Sequence, residues 1–173
     1  MSENKELEFQ KLKICILTIS SSRDLSDDKS GDILEERVLD FGHELFERKI
    51  TKDNKDSIKN IIINWSKNKE IDVIITSGGT GLTETDVTPE ALEEIFEKTI
   101  PGFSVVFHNI SFNKIKTSTI QSRATAGILM ETFIFALPGS PSAVKDGWDE
   151  ILRYQLDSPV SYTHLTLPTK RIV

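Results

Sequence analysis

Cysteine is almost absent from this chain of 173 residues: Cys15 stands alone, which excludes an intramolecular disulfide framework and a thiolate metal cluster. Cys15 lies in the apolar run Ile14 to Ile19 and reads as a small core residue, with a catalytic thiol the remote alternative. An excess of positive charge is also missing. Lys and Arg number 21 against 27 Asp and Glu, a net charge of −6, so a basic face for nucleic acid is not expected. A small anionic ligand is compatible with that balance, because a few backbone N–H groups and one metal ion reverse the potential locally. No apolar run approaches the roughly 20 residues that cross a bilayer, so no membrane span is expected. Met1 to Lys11 lacks the apolar stretch and cleavage site of a secretory signal, and a cytoplasmic protein is expected. Metal-ligand spacing is missing as well: His43 and His108 read as solvated or core residues.

What is present is alternation. Lys11 to Ser20 reads as a strand buried on both faces, followed by the polar loop Ser21 to Ser30. Ile33, Leu34, Arg37, Val38 and Phe41 fall on one helical stripe, with Gly42 as its stop. A second strand is expected over Glu44 to Thr51, then a helix carrying Ile58, Ile61, Ile62 and Trp65. Ile71 to Thr76 is another buried strand, broken by Ser77-Gly78-Gly79-Thr80-Gly81. Thr88 reads as the N-cap of the next helix, with Pro89 at its first position and Leu92, Ile95, Phe96 and Thr99 along it. Pro101-Gly102-Phe103 leads into a helix to about Asn113, and Ser122 to Met130 reads as helical. Thr132 to Leu137 is the last strand, and Ser140 caps a final helix bearing Val144, Trp148, Ile151 and Leu152. Trp65 and Trp148 read as core anchors, and the crowding of Phe103, Val105, Val106 and Phe107 predicts burial or a subunit contact.

The pattern predicts one α/β domain over residues 1–157, a three-layer α/β/α sandwich with a mostly parallel central sheet. Ser158 to Val173 has no place in it and reads as a translated cloning or sequencing adaptor.

In an open parallel sheet, ligands bind beyond the carboxyl ends of the strands. Three strands end there in small or turn-forming residues: Ser20 to Ser22, Ser77 to Gly81, and Pro138-Gly139-Ser140. The glycine run lacks the Lys-Ser/Thr ending of a Walker A loop and is no dinucleotide fingerprint. By itself it is equally a tight strand exit or an anion-holding turn. Asp86, five residues after the last glycine, falls at the mouth of the same crevice. Asp53 precedes a helix and reads, on its own, as a carboxylate favouring the positive helix end. Arg123 reads either as the partner of a surface carboxylate or as a planar fork for phosphate.

The run from Thr76 to Ala91, Thr-Ser-Gly-Gly-Thr-Gly-Leu-Thr-Glu-Thr-Asp-Val-Thr-Pro-Glu-Ala, resembles the signature of the molybdopterin-binding family that includes MogA, MoaB and the gephyrin G domain. So do Asp28-Lys29-Ser30-Gly31, Pro101-Gly102-Phe103, Ser122-Arg123-Ala124 and Leu137-Pro138-Gly139-Ser140, in the family's order and across Lys13 to Asp157. The resemblance implies a homotrimer or hexamer that uses ATP and Mg²⁺ to attach AMP to the terminal phosphate of molybdopterin. It implies Asp53 and Asp86 as catalytic residues and Mg²⁺ holders. It implies Ser20, Asp28, Ser30, Gly31, Ser77, Gly78, Gly79, Thr80, Gly81, Ser122, Arg123, Pro138, Gly139 and Ser140 as substrate and phosphate positions. Leu82-Thr83-Glu84 and Thr117 to Arg123 are closer to the MoaB branch, which keeps open a second reading: a protein that binds molybdopterin or nucleotide and turns it over weakly. A scaffold role is the third.

Overall fold

The structure is a computed structural model that describes residues 9–157. Its sheet has six strands in the order β2 (Glu44–Thr51), β1 (Lys13–Ile19), β3 (Val73–Ser77), β6 (Thr132–Leu137), β5 (Thr125–Leu129) and β4 (Lys98–Thr99). The first four are parallel; at one edge β5 pairs antiparallel with β6, and β4 antiparallel with β5. The central strands lack polar alternation because neither face meets water. Ile14 and Ile16 of β1, Val73 and Ile75 of β3, and Phe133 and Phe135 of β6 face one apolar cluster. Cys15 and Leu17, Ile74, and Ile134 and Ala136 face the other. Period-two alternation between two apolar cores is the mark of a buried parallel sheet.

Helices α1 (Lys29–Asp40), α4 (Pro101–Ile115) and α5 (Pro141–Gly147) cover the first face, through Leu34 and Val38, Phe103 and Phe107, and Val144. Helices α2 (Lys55–Lys67) and α3 (Thr88–Glu93) cover the second, through Ile58, Ile62 and Trp65, and Ala91 and Leu92. α5 continues through a π turn, Trp148–Leu152, into a last turn, Arg153–Gln155. No helix among the described residues is long and apolar enough to cross a membrane. The expected adaptor-like tail lies outside the described residues.

Two expectations give way. Ser122 to Met130 is not helical: Thr125–Leu129 forms strand β5, paired with β6 across a two-residue turn. That turn places Met130 at φ 48° and Glu131 at φ 72°. Paired positive φ suits the twist of a hairpin and normally recruits Asn or Gly, so Met-Glu carries no readable turn signal. Helix α3 also ends at Glu93, and Thr99, expected on it, lies in β4. The crowded apolar segment divides: Phe103 and Phe107 point into the core, Val105 and Val106 out to solvent.

Beneath the sheet's carboxyl edge lies the most connected ionic group. Asp28 is wholly buried and caps α1 by accepting from Gly31 N–H at 3.0 Å. Its Oδ2 accepts from Thr18 Oγ1 at 2.7 Å and from Arg48 Nη2 at 2.9 Å. Arg48 also reaches Asp32 and Glu35, both at 2.8 Å. Burial alone would raise the carboxyl's pKa, but the Thr18, Gly31 and Arg48 bonds outweigh it and hold the group below the usual carboxylate range.

His43 is a second polar group in an apolar setting. Its Nδ1 accepts from Leu12 N–H at 3.3 Å, while Phe9, Phe41 and Trp148 surround the ring and Nε2 is buried without a partner. Burial pushes its pKa down to about 4, from an ordinary value near ~6.5. The unfolded chain therefore takes up a proton between those values that the folded one refuses. Stability is fully present above pH ~6.5 and is lost as pH falls toward 4, by about 3 kcal/mol for this group. Urea unfolding at both ends of that window should show the wild type losing about that much more than His43→Gln; equal losses in the two proteins would exclude His43 as the cause.

Candidate functional site

A cleft of about 470 Å³ opens at the carboxyl ends of β1, β3 and β6. It is formed by the loops that follow those strands, by the loop after β2, and by the 3-10 turns Lys116–Gln121 after α4. Strand order explains the position. β1 connects outward to β2 and β3 continues on its other side, so the chain diverges in two directions at this edge and leaves a crevice.

The floor is the glycine turn. Gly78 and Gly79 adopt φ of 102° and 64°, the left-handed region that L side chains avoid. A Cβ on Gly78 would also strike the Ile19 carbonyl, and one on Gly79 would strike Thr88 Oγ1. Thr88 was expected as an N-cap. Instead it is the first residue of α3, makes no cap bond, and donates from Oγ1 to Gly78 O at 2.9 Å while its N–H donates to Gly79 O at 3.0 Å. Its work is to hold the turn. The amides of the turn are only partly available: Gly78 N–H donates to Leu137 O at 3.0 Å, and Gly81 N–H lies against the Asp86 carboxylate. Gly79 and Thr80 donate no backbone hydrogen bond among the described residues. The turn therefore offers two consecutive free amides.

The two acids reach the cleft from different loops. Asp53 follows β2, and Asn54, not Asp53, caps α2 by accepting from Ser57 N–H at 2.9 Å. Freed from capping, Asp53 lines the cleft and is fixed by Ser21, whose Oγ donates to Oδ2 at 2.7 Å and accepts from Asp53 N–H at 3.2 Å. Asp86 follows the glycine turn. Thr83 donates to its Oδ2 from N–H at 2.9 Å and from Oγ1 at 2.6 Å. Partial burial works to raise its pKa, but those two bonds, the Gly81 amide and the Arg123 charge outweigh it and hold the pKa below the usual range. Asp86 is therefore an anion throughout the neutral range. It suits a cation-holding role better than that of a general base poised near pH 7.

Of the other residues expected here, Ser20, Gly78 to Gly81, Ser122, Pro138 and Gly139 line the cleft. Ser77 is buried beneath it beside Thr18, and Ser140 caps α5 by accepting from Ala143 N–H at 3.2 Å. Asp28 and Gly31 belong to the buried ionic group, and Ser30 Oγ donates to Gly139 O at 2.9 Å, so these three brace the walls from behind. Arg123 does not present its fork to the cleft. Nε donates to Gly81 O at 2.8 Å, Nη2 to Asp86 O at 2.7 Å, and Nη1 pairs with Glu90. Of the two earlier alternatives for Arg123, the carboxylate pairing is the one seen, and the rest of the guanidinium fastens the Gly81 to Asp86 loop.

Ser21, expected at the crevice only as part of Ser20 to Ser22, lines the cleft together with Arg23, Ser118 and Gln121, which had no assigned role. The loop of Ser21 and Arg23 lies at a strand's carboxyl end, which is the one signal that could have found them. Ser118 and Gln121 arrive from 3-10 turns distant in sequence, and no local pattern marks them.

The family described as "Probable molybdopterin binding domain" matches residues 15–158. The chain is 42% identical over 151 residues to Molybdenum cofactor biosynthesis protein B of Escherichia coli (strain K12), covering 87% of this chain and 89% of that one. It is 38% identical over 144 residues to a protein of Methanocaldococcus jannaschii named "Probable molybdopterin adenylyltransferase", covering 79% and 85%. A crystal structure of Molybdenum cofactor biosynthesis protein B has the same fold, with a TM-score of 0.82 at 35% identity, covering 85% of this chain and 92% of that one. Similarity of this extent in sequence and fold means that the chain belongs to the molybdopterin-binding family of molybdenum cofactor biosynthesis proteins, with MoaB and MogA.

Proposed function

We propose that this protein adenylylates molybdopterin, consuming Mg-ATP and releasing pyrophosphate. The observation that carries the reading is the pair of aspartates, each fixed by a neighbouring hydroxyl, lining one cleft with a turn that has two free amides. The name of the Methanocaldococcus jannaschii relative supports it.

The acceptor phosphate sets what the protein must do. A phosphate monoester has its second pKa near ~6 and is largely a dianion at neutral pH, so it attacks the α-phosphorus without a strong base. The harder task is gathering anions beside two carboxylates. Gly79 and Thr80 N–H groups supply fixed positive dipoles that need not reorganise during reaction. Asp53 and Asp86 fit a Mg²⁺ ion: it prefers oxygen donors, takes one or two carboxylates, and fills its remaining positions with water and substrate phosphates. Among the described residues no group of three or more His, Cys, Asp or Glu is placed to hold a metal ion. When bound, the ion would neutralise charge on the phosphate oxygens. Ser21 and Thr83 keep the two carboxylates aimed, and Arg123 keeps the loop bearing Asp86 closed.

A second reading has an observation behind it: the 42%-identical relative is named for the pathway and not for a reaction. In that reading the cleft holds molybdopterin or nucleotide with little turnover. We also propose a homo-oligomer, because Val105, Val106, Phe112, Ile115 and Ile120 are all exposed on or just after α4, a density of apolar surface that marks a contact.

Pyrophosphate release from purified protein with molybdopterin, ATP and Mg²⁺ separates the two readings. Asp86→Asn should keep its circular dichroism and lose turnover by about 100-fold or more; undiminished adenylylation in that variant removes Asp86 from the mechanism. Sedimentation of Val106→Lys should show smaller particles than wild type, whereas a monomeric wild type at micromolar concentration rules the contact out.

A further inference from the structure

Arg23 is the one cationic side chain among the described residues that line the cleft. The other arginine near it is spent: Arg123 has its guanidinium engaged by Gly81, Asp86 and Glu90. Arg23 uses a single side-chain bond, from Nη1 to Gly139 O at 3.2 Å, and its other N–H donors engage no described residue. Its backbone is fixed nonetheless. Ser20 Oγ accepts from Ser22 N–H at 3.3 Å and from Arg23 N–H at 3.2 Å, which ties the start of the loop to the end of β1. The anchor also sets its place, because Gly139 packs so closely that a Cβ there would lie 3.0 Å from Gly78 Cα. The guanidinium is thereby held over the same glycine turn that carries the free amides of Gly79 and Thr80.

We infer that Arg23 grips the phosphate chain of the nucleotide, at the two phosphates that depart as pyrophosphate; this rests on the adenylylation reading above. The chemistry favours that end of the reaction. An acceptor oxygen bonds to the α-phosphorus while the bond from that phosphorus to the bridging oxygen of the β-phosphate breaks, and the electron pair leaves on pyrophosphate. Negative charge grows on the leaving group and shrinks on the acceptor. A guanidinium on the acceptor would damp its nucleophilicity, whereas on the leaving group it stabilises the charge that develops. A fork with several free donors also matches the oxygens of an oligophosphate, and it is never deprotonated in the working range. Without it, the nucleotide would meet two carboxylates and no side-chain cation in the cleft.

The test is calorimetric titration of wild type, Arg23→Gln and Arg23→Lys with pyrophosphate, inorganic phosphate and a non-hydrolysable ATP analogue in the presence of Mg²⁺. Arg23 is exposed, so both variants should fold. Arg23→Gln should weaken pyrophosphate and the ATP analogue by at least about tenfold, and Arg23→Lys by less, since a lone charged hydrogen bond is worth roughly one decade in affinity. Inorganic phosphate, standing for the acceptor's monoester, should shift far less. If Arg23→Gln binds pyrophosphate as wild type does, the role of Arg23 is wrong and the nucleotide reading stands. A loss confined to inorganic phosphate also overturns it, by moving Arg23 to the acceptor side. A wild type that binds neither pyrophosphate nor the ATP analogue overturns this role and the adenylylation reading together.

Discussion

Everything at the cleft depends on how closely the backbone of Gly78 passes the carbonyl of Ile19. β1 and β3 are adjacent parallel strands, and the chain leaving β3 turns at Gly78 beside the end of β1. Only a residue without Cβ can make that turn at φ 102° with Ile19 O so near. The consequences spread from there. Gly78 N–H reaches Leu137 at the end of β6, Thr88 ties the turn to α3, and Gly139 packs against Gly78 from the far side. Three loops that are distant in sequence are thus held at fixed separation around a single small patch of backbone.

The electrostatics follow a division of labour. One set of charges is committed to structure: Asp28 with Arg48 below the sheet's edge, and Arg123 with Glu90 behind the cleft. The first lies where an isolated charge would be costly; the second is partly exposed to solvent. The other set faces the cleft and is tethered mostly by neutral groups: Asp53 by Ser21, Asp86 by Thr83, and Arg23 by a carbonyl. Hydroxyls and carbonyls orient a charge without neutralising it, so the field of these three stays open to the cleft. This separation fits the recurrence of aspartate and arginine in both sets with opposite uses.

The chain's own pattern foretold much of this and missed definable parts. Buried strands were legible because β1, β3 and β6 are continuous apolar runs rich in branched residues. The ends of β2 and the Ser140 cap were legible from turn and cap chemistry. β5 was not, because Ala-Gly-Ile-Leu suits helix or strand locally and its partner β6 decides. Within the site, positions adjoining glycine or proline could be read, since those residues punctuate the backbone. Thr88 and Arg123 were assigned to the region but not to their tasks: whether a side chain faces a ligand or braces a loop depends on packing that no single segment encodes. Arg23 was invisible for a simpler reason, being an ordinary polar residue in a polar loop.

The order of strands carries a consequence for how the protein comes into being. β1 must pair with β3 across about sixty residues, and β3 with β6 across about sixty more, so each seam closes only after a long stretch of chain has been gathered in. Topologies built on such distant pairings reach their native state slowly compared with locally paired ones. During synthesis the pocket's last wall, Pro138 and Gly139, leaves the ribosome when most of the domain has already emerged. A shortened or half-made polypeptide that ends before β6 therefore lacks one wall of the cleft.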